Sequence, residues 1–226
     1  YSYDPNPCTR FWNRATAIKD AAGNSWTAKF AVHEGLPLYS FAICRYALRK
    51  EVQLLYGSTS TLSINSLEHS FIPKDMNLKM LEKLKKNPIF EDFSNGLQDW
   101  SVRRGTNICT YKFQSPNIDV SNNKKLCLSL APKGRKLALH LRVNSKSLGN
   151  GKDLGDFSFT KVISGNDPQD VLISRTDFIS RQDKTLEWSA IVRFEISIVD
   201  TATNTRINLS SKEARSVLRS IKMVFR

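Results

Sequence analysis

The stretch LPLYSFAICRYALRKEVQLLYG, residues 36–57, decides how the chain reads. Pro37 stands where a helix tolerates proline, because the first helical N–H has no partner within the helix in any case. Leu38, Phe41, Cys44, Leu48, Val52 and Leu55 follow at helical spacing and predict one apolar stripe. Gly57, just after Tyr56, is a natural stop. The pattern predicts a long amphipathic helix.

Outward from that helix the signals alternate between strand and helix. On its N-terminal side Trp26, Ala28, Phe30 and Val32 take every second place, the period of a half-buried strand. Residues 1–24, punctuated by Pro5, Pro7 and Gly23, read as an arm that Phe11 and Trp12 can anchor. On the C-terminal side, Thr59 to Ile64 reads as a short strand. Asp75 is placed to cap a second helix from Met76 to Lys86, with Leu78, Leu81 and Leu84 as a thin stripe and Asn87-Pro88 as its end. Lys79, Lys83, Lys85 and Lys86 crowd the polar side of that helix.

From Ile108 onward the pattern is strand-rich. Cys109 to Phe113, Lys125 to Leu130, Leu137 to Val143 and Phe157 to Ile163 read as extended. In the third of these, Leu137, Leu139, Leu141 and Val143 alternate with Ala138, His140 and Arg142, which predicts a core face and a wet face. Trp188, Ala190, Val192, Phe194, Ile196 and Ile198 alternate in the same way, and Thr201 to Thr205 reads as a turn. Ser210 with Glu213 forms a capping-box pattern. Ala214, Val217, Leu218 and Ile221 then mark a C-terminal amphipathic helix, whose other face carries Lys212, Arg215, Arg219 and Lys222. The expected architecture is α+β, with helices packed on a largely antiparallel sheet: an arm over 1–24, then a single basic domain over 25–226. The weakest seam falls around Asn87 to Asn95.

The 226 residues carry a formal net charge of +13. A field of that sign attracts phosphate backbones and anionic lipid heads and speeds association with them. The charge is polarised along the chain. Residues 167–200 hold seven acids and four bases, whereas 201–226 hold six bases and one acid. An acidic island in a basic field suits head-to-tail contacts between copies. No run of apolar residues is long enough for a membrane-spanning helix, and no signal peptide is evident. Cys8, Cys44, Cys109 and Cys127 stand far apart with no CxxC spacing. Cys44 and Cys127 fall in apolar patterns and read as buried free thiols, which fits a reducing, intracellular setting.

Motifs for chemistry are missing. His33-Glu34 lacks the second histidine of a metalloprotease helix, and there is no Gly-rich phosphate loop, GxSxG elbow or EF-hand loop. Glu91-Asp92 and Asp153 with Asp156 read as solvated loop acids, without the burial that tunes a carboxyl for acid catalysis. Phe93, Trp100 and Tyr111 among Arg103, Arg104 and Lys112 read either as core at a sheet edge or as a clamp for single-stranded nucleic acid. The run from Phe90-Glu91-Asp92-Phe93 through Leu97 to Trp100 also looks like the opening of carbohydrate-active β-sandwich domains, over about a dozen residues.

The order of elements resembles the matrix proteins of rhabdoviruses. The resemblance rests on Trp26 to Val32 as first strand, Leu36 to Gly57 as long helix with its aromatic-glycine stop, Thr185 to Asp200 as late strand and Ser210 to Ile221 as terminal helix. It implies a structural, non-enzymatic protein without cofactors, located in the virion beneath the envelope and, inside the host cell, in the cytoplasm or nucleus as a peripheral membrane protein. Such a protein self-assembles and bridges a viral nucleocapsid and the anionic inner face of the envelope. A lysine or arginine near an anionic leaflet is worth about 1 kcal/mol. The residues expected to touch a membrane or other polyanion are Lys79, Lys83, Lys85 and Lys86, then Lys133, Arg135 and Lys136, then Arg215, Arg219 and Lys222. The alternative is a viral protein that binds single-stranded nucleic acid, RNA included, as a movement, coat or silencing-suppressor protein does.

Overall fold

The computed structural model describes residues 1–2, 12–23, 25–30, 32, 36–55, 57–72, 88–94, 96–97, 99–103, 106–115, 117–121, 123–146, 153–180, 182, 184–210 and 216–225. The chain divides into two compact units, one holding the described residues up to 72 and the other those from 88 onward. Sequence reading put its boundary at 24/25, whereas backbone contacts put the division near residue 84.

The first unit is a set of small antiparallel pairs. Strand β1 (Ala17–Lys19) pairs with β2 (Trp26–Ala28), inside and just beyond the expected arm. Strand β3 (Leu38–Ser40) pairs with the last strand of the unit, His69–Phe71. Between them, β4 (Ile43–Leu54) and β5 (Gly57–Asn65) form a long ribbon, and we label His69–Phe71 β6. Few side chains here are covered. Leu38 is buried, Tyr1 stacks on Phe30 at 5.0 Å, and Trp12 meets Phe41 edge-on at 4.6 Å.

In place of the long helix predicted over 36–57 the chain forms β3, β4 and the start of β5. Cys44, Leu48 and Val52 are four apart, and four residues are close to one helical turn and equal to two strand repeats. The deciding partners lie outside the stretch. Register sets Cys44 opposite Ile64 and Tyr46 opposite Leu62, so these four apolar residues share one face of the ribbon. Gly57, read as a helix stop, has φ of 136° and opens β5 directly after the turn. Cys44, expected to be buried, is exposed on this ribbon.

The second unit is a β-sandwich. Its strands are β7 (Ile89–Glu91), β8 (Ser101–Arg103), β9 (Asn107–Thr110), β10 (Lys124–Leu130), β11 (Lys136–Lys146), β12 (Asp153–Ser164), β13 (Gln169–Ile173), β14 (Ile179–Ser180), β15 (Ile191–Asp200), β16 (Thr205–Arg206) and β17 (Leu218–Phe225). One sheet of four strands runs β13–β10–β17–β7. The other runs β14–β12–β11–β15–β9–β8, with β16 added beside β15 as its seventh strand. Every pairing is antiparallel.

The two sheets share one core. Leu126, Leu128 and Leu130 of β10 and Ile221 and Met223 of β17 join Leu137, Leu139, Leu141 and Val143 of β11 and Phe194, Ile196 and Ile198 of β15. Aromatic rings bridge the layers. Phe90 of β7 lies 4.5 Å from Phe113 and 6.2 Å from Phe194, ring centre to ring centre. Trp188, fully buried, lies in a single 3-10 turn before β15, and its indole N–H donates to the Lys124 carbonyl at 3.0 Å. The alternation read from Trp188 onward thus begins as strand only at Ile191.

The α+β class is corrected to all-β. Among the described residues, helix is limited to three-residue 3-10 turns, and no helix packs on either sheet. The expected C-terminal helix is β17 where it is described. A β-bulge explains the misreading. Ser129 opposes Ser220 while Leu130 opposes Leu218, leaving Arg219 as the extra residue. The bulge adds one residue between two inward-facing positions, so buried Leu218 and Ile221 stand three apart, a helical spacing. The helix expected over 76–86 lies outside the described residues.

Candidate functional site

The outer face of the seven-stranded sheet is wet, as the alternation of β11 requires. When Leu137, Leu139, Leu141 and Val143 face the core, His140, Arg142 and Asn144 must face the other way. Register extends this into rows across the sheet. Ser158 opposes Arg142, and Arg142 opposes Glu195. Thr160 opposes His140, and His140 opposes Ser197. Asp156 opposes Asn144, and Asn144 opposes Arg193. Adjacent positions in a row are one strand spacing apart, about 4.8 Å.

The rows form the floor of a groove of about 490 Å³. Arg142 and Arg193 rise from its floor, and Arg103 of β8 and Arg206 of β16 both stand beyond the edge of β15 that faces away from β11, at different heights along that strand. That volume falls in the range of sites that take small ligands or short stretches of a polymer. Asn107, Ser158, Thr160 and Ser197 supply amide and hydroxyl groups between the arginines. Glu195 is the single carboxylate among the lining residues, and one of its oxygens accepts from Asn107 Nδ2 at 2.7 Å.

The electrostatics of the groove are those of an anion cradle. Among the described residues, Arg142, Arg193 and Arg206 enter no ion pair. Arg103 donates from Nε to the Cys109 sulfur at 3.3 Å and also hydrogen-bonds with Tyr111, which fixes its side chain at the groove wall. His140 Nδ1 is 3.0 Å from Thr160 Oγ1. Partial burial, then the Arg206 charge, holds the His140 imidazole below its ordinary pKa, so it favours the neutral form. A guanidinium fork pairs two N–H groups with the two oxygens of a carboxylate or phosphate, so unpaired arginines suit such ligands.

The residues expected from sequence to touch a polyanion lie elsewhere. Lys133 and Arg219 come together at the edge of the four-stranded sheet, around a second cavity of about 530 Å³ that Asn166 and Ser216 also line. The bulge at Arg219 places its side chain there. Arg135 is half-buried, and its Nε donates to the Pro132 carbonyl at 3.5 Å. Lys136 is exposed at the start of β11, and Lys222 is exposed on β17 opposite Cys127. Lys79, Lys83, Lys85, Lys86 and Arg215 lie outside the described residues. Sequence reading named Arg103 in a candidate clamp and Arg142 as a wet-face residue, but did not join them with Arg193 and Arg206 in one site. The signal was present in the alternation, since Arg142, Arg193 and Glu195 each occupy the wet phase of a strand whose core phase was recognised.

Two further expectations are resolved here. Phe93 and Trp100 are buried in the sandwich core, so neither offers a ring to a nucleic-acid base. Glu91, read as a solvated loop acid, is largely covered and acts as a hub. Its carboxylate accepts from Trp100 Nε1 at 3.0 Å, from Lys112 Nζ at 3.1 Å and from the backbone N–H groups of Asp92 and Phe93. No family model, curated protein or solved structure matches the chain, so the functional reading rests on the geometry of this face.

Proposed function

We propose that the β-sandwich is a non-catalytic binding module that takes an anionic polymer along the groove of its seven-stranded sheet. The observation that carries the reading is the convergence of Arg103, Arg142, Arg193 and Arg206 on one polar face, with three of them free of carboxylate partners among the described residues. The net charge of +13 supports it by drawing polyanions to the molecule at long range. A binding role rather than turnover is favoured because hydrolysis of a glycoside takes a pair of carboxyl groups, and the lining residues supply one. Of the grounds for a matrix-type role, the positive charge stands, but the two stretches expected as helices hold strands and turns, with no helix, wherever they are described.

The test is retardation of the full chain in native gels cast with an acidic polysaccharide or with single-stranded RNA, and flotation with anionic vesicles. Non-specific attraction follows total charge, so two charge-matched variants are compared: Arg142→Glu with Arg193→Glu in the groove, and Lys133→Glu with Lys136→Glu outside it. The groove pair is expected to abolish retardation by at least one polymer, and the outside pair to weaken it only slightly. Equal losses in the two variants, or binding to vesicles alone, would overturn the proposal.

A further inference from the structure

We infer that the occupant of the groove is a polyuronate, a polysaccharide that presents carboxylates and hydroxyls by turns; this rests on the groove reading above. The argument starts from what the lining residues lack. No phenylalanine, tyrosine or tryptophan lines the groove, and its one ring is the small imidazole of His140, held by Thr160. Single-stranded nucleic acids bind largely by stacking their bases on aromatic rings, each worth about 1–3 kcal/mol, and this face offers no such platform. Of the three aromatic residues that could have served, Phe93 and Trp100 are committed to the core, and Tyr111 hydrogen-bonds with Arg103 and is not among the lining residues.

The second part concerns Glu195. An ionised carboxylate is an acceptor only, and Asn107 uses one of its oxygens. Its remaining capacity calls for donors from the ligand. In the register of the sheet Glu195 stands directly beside Arg142, which in turn stands beside Ser158. The row therefore reads hydroxyl, cation, anion at steps of about 4.8 Å. A continuous line of phosphates would gain at Arg142 and be repelled one step later at Glu195. A uronate chain brings a carboxylate for the arginine fork and ring hydroxyls that donate to Glu195, so both neighbours are satisfied at once. Asn107, Thr160 and Ser197 add groups that pair with hydroxyls and ring oxygens. A neutral polysaccharide would bring no carboxylate to Arg142, Arg193 and Arg206, which enter no ion pair among the described residues.

The test uses the full chain and three probes: polygalacturonate, the same polymer with its carboxyls methyl-esterified, and a single-stranded RNA. Titration calorimetry should show binding to polygalacturonate that weakens at least tenfold on esterification and at least tenfold in Arg142→Gln. Glu195→Gln adds the discriminating readout. It removes the repulsion, so any affinity for RNA should rise, while affinity for polygalacturonate should fall or hold. Circular dichroism of each variant establishes that the fold is kept. If RNA binds, Arg142→Gln abolishes it and polygalacturonate does not bind, then the groove reading stands and the polyuronate is overturned. If no probe binds in a way that Arg142→Gln changes, the groove reading falls and the inference falls with it.

Discussion

Strand β4 in the first unit and strand β11 in the second are twelve and eleven residues long and both alternate, yet they lead opposite lives. Along β11 every second side chain is sealed in the sandwich core, and the others form the floor of the arginine groove. Along β4 nearly every side chain is exposed, on both faces of a ribbon in which β5 is the one strand paired with it among the described residues. A two-stranded ribbon alone is marginally stable in water, whereas three or more strands over a shared apolar face can stand by themselves. Alternation therefore sets which way a side chain points, and the number of layers sets what that pointing is worth.

The comparison can be broken most directly by deleting one apolar side chain on each strand. Leu141 of β11 is fully buried, so Leu141→Ala removes contacts that the core cannot replace and is expected to cost about 2–5 kcal/mol. Leu54 of β4 is 58% exposed, and Leu54→Ala is expected to fall within about 0.5 kcal/mol. Urea unfolding followed by far-ultraviolet circular dichroism reads both, and similar midpoints for the two variants would end the contrast.

A polar pair sharpens it. Glu91 has 11% of its side chain exposed and holds Lys112, the Trp100 indole and two backbone N–H groups. Glu91→Ala strands these donors, although Asp99 remains 3.5 Å from Lys112, and a loss of about 2 kcal/mol is expected. In the ribbon Glu51 accepts from the Ser58 hydroxyl in an exposed setting. Glu51→Ala should leave the same unfolding curve unmoved, and a comparable shift would show that the ribbon is more tightly organised than its exposure implies.

The smallest effect belongs to the wet face itself. His140 is packed against Thr160 on β12 and Ser197 on β15, and it shares the groove with Arg206, Arg142, Arg193, Arg103 and Glu195. Its pKa is depressed in the folded chain by partial burial and then by Arg206. Below the ordinary imidazole pKa of about 6.5 the unfolded chain therefore binds a proton that the folded chain does not. Stability should decline as pH falls through that value and level off below the folded pKa. Melting temperatures between pH 7.5 and 5 should fall more for the natural chain than for His140→Asn, and identical slopes would remove His140 from the account.

Much of the second unit was legible in the sequence, because burial there is one-sided and leaves a period of two. Leu137 to Val143 and Val192 to Ile198 could be read for both core and wet phases. The first unit was not legible, because its periods collide. Cys44, Leu48 and Val52 satisfy a helix and a strand alike, and only Leu62 and Ile64, at a distance along the chain, choose between them. The C-terminal strand hid behind its bulge at Arg219. The groove was half visible: alternation pointed Arg142 and Arg193 outward, but nothing local says that β8 and β16 bring Arg103 and Arg206 to the same face. The core seats of Phe93 and Trp100 likewise depend on sheets that pair remote segments.

The pairing of β7 with β17 carries a consequence for how the chain is made. Glu91 opposes Ile221, so the first strand of the sandwich finds its neighbour only in the last one. Strand β10 is likewise flanked by β17 and β13, both of which follow it in the chain. Chains emerge at about 5–20 residues per second, and contacts between distant segments form slowly because loop closure comes first. During synthesis Phe90 can meet Phe113 and Phe194, and β10 can meet β13, before the pairing edges that β7 and β10 offer to β17 find their partner. The four-stranded layer is therefore completed last, and a chain that stops short of Leu218 leaves those two edges open to other strands.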